Sequence, residues 1–328
     1  MSASRGRFFP ALFIAAVAAF GGADAARSNE PIILQLPWTH QATYGGFYVA
    51  DQRGYYAAEG LKVQYLEGGP KADPITPVLD GRAQFGVTGA AELLIARAAG
   101  KPVRAVATIF RRSPVVFIAK AESGIASPED FVGKTIRLTS VDATSFHAMM
   151  KRVGIASDQF RVVNLPSDVK RFAAGEADVW SLYVNGLAVV LEQAGFKLNY
   201  IYPDDYGVHF YADTLFTTDS TVAAKADLVL RFTRASLKGW NVAVAEPNIV
   251  GPMVRVYSAK VDPAAETLKM KASQALVNTG EDRIGWMKEK RWSDMAAMLQ
   301  EEALMPGAVK AADVFTLRFL REIYGVSD

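Results

Sequence analysis

Short strand-like runs at 32–36, 61–65, 84–87 and 103–110 alternate with helix-like runs at 45–53 and 90–99, and no other feature of the chain limits its fold as much. A repeated strand–helix rhythm builds βα units on a mostly parallel sheet covered by helices. In the second run Leu61, Val63 and Tyr65 alternate with Lys62 and Gln64, the period of a half-buried strand. Gly54 and Gly100 stand where the two helices must stop. A turn or short helix is expected at 77–80 and a further strand at 115–119. The rhythm continues with strands at 135–138, 161–164, 178–182 and 198–202 and helices at 143–153, 167–174 and 187–193. Ser127, Pro128, Glu129 and Asp130 read as a helix start, with a serine cap, proline in the first turn and acids against the dipole. A strand at 210–216 is expected to return to the first half. Helices then follow at 223–243, 264–278, 292–299 and 311–324.

The resulting expectation is an α/β protein of two lobes. Residues 26–118 and 210–328 would form the first, and 119–209 the second, with two crossings that act as a hinge. Residues 1–25 read as a cleavable secretory leader: Arg5 and Arg7 precede a short apolar run, and Ala23-Asp24-Ala25 is a cleavage site. The run falls short of the ~20 apolar residues that span a bilayer. The chain contains no cysteine, which excludes disulfides, thiol nucleophiles and Cys-ligated metals. Its net charge is only +2, which offers no large electrostatic surface for nucleic acid or an anionic membrane.

The loop after the first strand concentrates polar and aromatic groups: Trp38-Thr39-His40-Gln41-Ala42-Thr43-Tyr44-Gly45-Gly46-Phe47-Tyr48. Open α/β sheets receive small ligands at strand ends. With Gly81-Arg82-Ala83-Gln84-Phe85-Gly86-Val87, Leu94 to Val103 and Gly124 to Lys134, this loop resembles the periplasmic solute-binding components of ABC importers. The group is the NMT1/THI5-like one, shared by thiamine-pyrimidine and sulfonate binding proteins. The resemblance runs from about Ile32 to about Phe216. It implies the type II periplasmic binding protein fold, with a hinged ligand cleft between two α/β lobes. It also implies a small-molecule ligand, an inner-membrane permease as partner and a monomer, with no cofactor. The yeast-type members are enzymes of pyrimidine synthesis with a cysteine-rich motif. This chain lacks cysteine, and Thr43-Tyr44 stand where those members show Asn-His. The expectation is therefore a periplasmic receptor, not an enzyme, for a small flat heterocycle of thiamine-pyrimidine-precursor type. Riboflavin and sulfonate- or taurine-like anions are the alternative ligands. A secreted pyrimidine-synthesising enzyme and a ligand-presenting partner of a membrane kinase are the alternatives of another class.

Particular residues follow from that reading. Trp38 and Tyr44 serve as stacking walls or as lobe packing. Gln41 is a polar partner and His40 a rim residue. Gly69, between Gly68 and Pro70, lets a backbone approach the ligand or simply turns. Thr88 and Glu92 flank the start of the helix at 90–99. Thr88 caps it or meets ligand, and Glu92 complements the dipole or accepts from an amino-substituted ring. Asp142 is a helix cap or a ligand contact. Tyr183 and Asn185 end a strand and face the cleft, and Tyr206 lies on the hinge side. Arg111 and Arg112, at the other crossing, sustain the anionic alternatives. Gly133-Lys134-Thr135 is a turn and not a phosphate loop, because Pro128 stands where that pattern needs glycine. His40, His147 and His209 show no metal-ligand spacing, so no metal site is expected.

Overall fold

The computed structural model describes residues 1–2, 30–69, 72–139 and 142–327. The expected leader, apart from its first two residues, lies outside these. So do Pro70, Ser140 and Val141. Two five-stranded mixed sheets with helices make up an α/β fold.

The first sheet contains β1 (Glu30–Gln35), β2 (Leu61–Leu66), β3 (Phe85–Gly89) and β4 (Val103–Thr108). The second contains β5 (Val115–Lys120), β6 (Thr135–Arg137), β7 (Arg161–Val163), β8 (Val179–Tyr183) and β9 (Leu198–Ile201). The chain then returns as β10 (Asp213–Thr218) to the first sheet. The strand orders are β2-β1-β3-β10-β4 and β7-β6-β8-β5-β9. β1 runs parallel to β2 and β3, and β6 parallel to β7 and β8. β10 and β5, the strands that follow the crossings, are antiparallel to their neighbours. Because Val115–Lys120 is laid wholly in the second sheet, the first crossing falls between Thr108 and Val115 and not near residue 119.

Local chemistry accounts for most elements. Leu61 and Val63 turn inward from β2 while Lys62 and Gln64 face solvent. Ala90–Ala98 is built from strong helix formers and ends before Gly100, whose φ of +80° suits glycine. Ser127 to Asp130 starts only a 3₁₀ turn, Pro128–Phe131. There the Asp130 carboxylate accepts from the backbone of Ala126 and Ser127. The helix expected at 311–324 is broken. Phe315 bridges to Ala105 of β4, with Val314 and Thr316 hydrogen-bonded to the same residue, and the helix begins only at Arg318. A helix at Val250–Tyr257, absent from the sequence reading, stands between the long helices Ala226–Ala245 and Pro263–Val277. Pro263–Val277 lies against both the loop after β1 and the helix Leu187–Gln193 of the second half. It therefore walls the space between the sheets. Among the described residues no helix is long and apolar enough to cross a membrane.

Candidate functional site

A cavity of about 300 Å³ lies between the strand ends of the two sheets. From the first side come Trp38, His40, Gln41 and Tyr44 in the loop after β1. Arg137 and Tyr183, from the ends of β6 and β8, face them with Asp142. The helix Pro263–Val277 contributes Glu266 and Lys269.

The loop is held by contacts that the chain order hides. Gly68 N donates to Trp38 O at 3.1 Å and Gly69 N to Pro37 O at 3.2 Å. A side chain at Gly68 would run into the backbone of Leu36 and Pro37, whereas Gly69 has open space around it. The close approach thus belongs to Gly68. Gly69 does not line the cavity; it steadies the segment that presents Trp38. Ala42 N donates to the Glu266 carboxylate at 2.6 Å, and Lys269 pairs with the same side chain at 2.6 Å. His40 contacts Tyr48 OH through Nδ1 at 2.8 Å and stacks on Tyr257. Burial holds its pKa below the ordinary histidine value, against the nearby Glu67 charge. Tyr44 is buried, and loss of hydration followed by the Asp213 charge pushes its phenol well above the usual range.

The second side is built around a buried ion. Arg137 donates to Leu165 O at 2.9 Å, to Ser181 O at 2.6 Å and to Ser167 Oγ at 2.6 Å, and it lies over the Trp180 ring. Burial lowers its pKa, an effect countered by the Asp142 charge. The Asp142 carboxylate does not cap the helix Ala143–Arg152. It accepts instead from Thr139 Oγ1 at 2.6 Å and Ser181 Oγ at 2.8 Å. Burial raises its pKa, and those bonds and Arg137 oppose the rise.

Of the residues singled out in the sequence, Trp38, His40, Gln41, Tyr44, Asp142 and Tyr183 meet at this cavity. The others do not line it. Thr88 is buried inside β3 opposite Thr214, so Gly89 and not Thr88 precedes the helix. Glu92 is half-buried where the two halves meet, with Thr144 Oγ1 donating to it at 3.3 Å. Asn185 is fully buried and spends its amide nitrogen on Ser273 at 2.7 Å. Tyr206 rides a 3₁₀ turn, Pro203–Tyr206, on the return crossing. Arg111 is buried against Asp282 and Thr279, and Arg112 is exposed. Neither reaches the cavity, so the anionic alternatives lose the arginines that sustained them.

Sequence reasoning missed Arg137, Glu266, Lys269 and Asp213. A lone arginine between Ile136 and Leu138 was the available signal for the first. An acid heading the apolar strand Asp213–Thr218 was the signal for the last. Asp213 is 3% exposed, and its carboxyl is pushed up to about 7, chiefly by burial.

The model of the NMT1/THI5 like family matches residues 41–249, more than half of the chain. A formylaminopyrimidine-binding protein of Halalkalibacterium halodurans is 25% identical over 299 residues, covering 88% of this chain and 90% of that protein. The riboflavin-binding protein RibY of Chloroflexus aurantiacus is 24% identical over 310 residues, covering 90% and 88%. Among solved structures, the alkanesulfonate-binding protein of Xanthomonas axonopodis pv. citri bound to MOPS is similar in fold. Its TM-score is 0.68 at 14% identity, over 88% of this chain and 99% of that one.

Proposed function

The chain belongs to the NMT1/THI5-like family, and on that premise we propose that it is the periplasmic solute-binding component of an ABC importer. Its cargo is a small flat nitrogen heterocycle of the thiamine-pyrimidine-precursor kind. The two sheets with their helices act as lobes that hinge at the crossings, close on the ring and dock, as a monomer, on an inner-membrane permease.

One observation carries this reading: aromatic walls from both sides, Trp38 and Tyr44 on one and Tyr183 on the other, enclose a cavity that also holds a carboxylate, Asp142. Apolar aromatic surface with a few polar groups is the usual make-up of a heterocycle site. The volume lies at the small end of the ~300–1,000 Å³ range for ligand pockets, which favours one ring over a flavin's three. Likeness to the formylaminopyrimidine-binding protein over 88% of the chain supports the same class. The absence of cysteine, and Thr43-Tyr44 in the loop, favour binding over pyrimidine synthesis.

The test is a thermal-shift series with formylaminopyrimidine, riboflavin and taurine. A ligand at ~100 times its Kd adds about 2.7 kcal/mol to stability, a rise of several degrees. A rise with the pyrimidine, lost in Trp38→Ala, supports the proposal. A rise with riboflavin alone moves the assignment to the flavin. A rise with taurine alone, or with none of the three, overturns the heterocycle.

A further inference from the structure

We propose that Asp213 and Glu92, two carboxyl groups with no cationic partner among the described residues, set the ligand preference of the cleft: they favour a nitrogen that donates hydrogen bonds and reject an anion. This rests on the heterocycle-receptor reading and narrows it to a donor pattern.

The two acids are brought together by backbone pairing. Asp213, at the head of β10, faces Gly89 directly across the ladder. A Cβ on Gly89 would overlap the Glu92 carboxylate, so that carboxylate folds back over the glycine toward the same place. Each acid receives a single hydroxyl from the opposite side of the cleft. Thr144 Oγ1 donates to Glu92 Oε1 at 3.3 Å, and Tyr183 OH donates to Asp213 Oδ1 at 3.5 Å. Both bonds are long for a hydroxyl and a carboxylate. Asp213 Oδ2 is buried with no hydrogen-bond partner. An enclosed carboxylate oxygen without a donor is costly, so the pair favours a ligand that brings hydrogen-bond donors to the walls in front of it.

The surroundings supply no alternative donor of charge. Among the described residues no lysine or arginine forms an ion pair with either acid. The titratable groups that face them are Tyr183 and Asp142 from the second half and Tyr44 from the loop after β1. Neither acid lines the cavity; Tyr44 and Tyr183 do, and both feel the Asp213 charge, so the acids act from one side chain behind the space where a ligand lies. The cavity's own cations are occupied. Arg137 is spent on two carbonyls and a hydroxyl, and Lys269 on Glu266. A sulfonate would therefore meet carboxylates without a free cation to oppose them. Tyr183 acts as a positioning residue: its hydroxyl proton points to Asp213, which leaves its oxygen to accept from the ligand.

The experiment is calorimetric titration of the full chain with three compounds: formylaminopyrimidine, its analogue carrying hydroxyl in place of the ring amino group, and an alkanesulfonate. The wild-type protein should prefer the amino compound, and Asp213→Asn and Glu92→Gln should each reduce that preference about tenfold or more. Affinity for the amino compound should also weaken as pH falls from about 8 to about 6, because the coupled pair takes up protons there. Gly89→Ala provides a second route, since it evicts the Glu92 carboxylate without changing any charge, and it should relax the preference in the same direction. If the variants keep the wild-type preference and pH profile, the inference is wrong while the receptor reading stands. A wild-type chain that binds none of the three compounds, or binds only the sulfonate, overturns both.

Discussion

Gly68 and Gly69 are adjacent, and the structure gives them opposite tolerance to the same change. A Cβ at Gly68 would lie 2.5 Å from Leu36 O and closer still to Pro37, whereas ordinary contact begins near 3.4 Å. The neighbours are backbone and cannot swing aside as a side chain can. Gly68→Ala must therefore move the Leu36–Pro37 segment by about 1.0 Å, the difference between 3.4 Å and the 2.4 Å to Pro37. Overpacking of this kind costs roughly 1–3 kcal/mol, which for a chain of this size lowers Tm by roughly 2–8 °C. The displaced segment carries Trp38, and the bond from Gly68 N to Trp38 O is strained with it. Heterocycle affinity should then fall about tenfold, equivalent to ~1.4 kcal/mol. Gly69→Ala meets nothing within 4 Å and should leave both quantities unchanged. Calorimetric melting and ligand titration of the two variants in parallel measure this. A Gly68→Ala protein as stable as wild type, or a Gly69→Ala protein equally damaged, refutes the argument.

Three further outcomes are expected. Arg137→Leu strands the buried Ser181 O and the half-buried Leu165 O and should cost about 1–3 kcal/mol in urea denaturation. Arg137→Lys should rescue little of this, because an ammonium does not reproduce the guanidinium's fork of donors. Trp38 is only partly buried, so Trp38→Ala should remove ligand-induced stabilisation while lowering the unliganded Tm by no more than ~2 °C. Glu92 and Asp213 have folded pKa values of about 7, above the ~4 of an unfolded carboxyl. The folded state thus holds protons that the unfolded chain releases. Their contribution is fully present below about pH 4, is lost as pH rises toward about 7, and is level above that. Urea midpoints of the unliganded protein should fall across this window, and less so in Asp213→Asn; an equal fall in both proteins counts against the assignment.

The βα rhythm was legible because its signals are local. The Leu61/Val63 alternation, the Ala-rich run of Ala90–Ala98 and the glycine after it specify their elements without help from distant residues. The aromatic loop from Trp38 to Tyr44 stood out because its rings follow neither a strand nor a helix period. What escaped was set at long range. Glu266 reaches the loop by bonding Ala42, which is 224 residues away, and nothing near Glu266 marks that contact. Asp213 gains meaning only when β10 lies against β3. Local preference also misled at 311–324, where Phe315 is drawn out of a favourable helix to bridge β4. Thr88 was misplaced by a single residue, since the strand runs on to Gly89 before the helix starts.

β10 lies between β3 and β4, yet the entire second sheet separates it from β4 in the chain. While residues 30–212 are being made, no strand fills the place between β3 and β4. The facing strand edges and the apolar residues that Leu215 and Phe216 will cover stay unsatisfied. Closing that gap brings together segments far apart in sequence, which is the slow kind of contact to form. The second sheet holds all five of its strands within Val115–Ile201 and has no such wait. Synthesis order and assembly order therefore run opposite ways in this molecule: the half begun first is the half completed last.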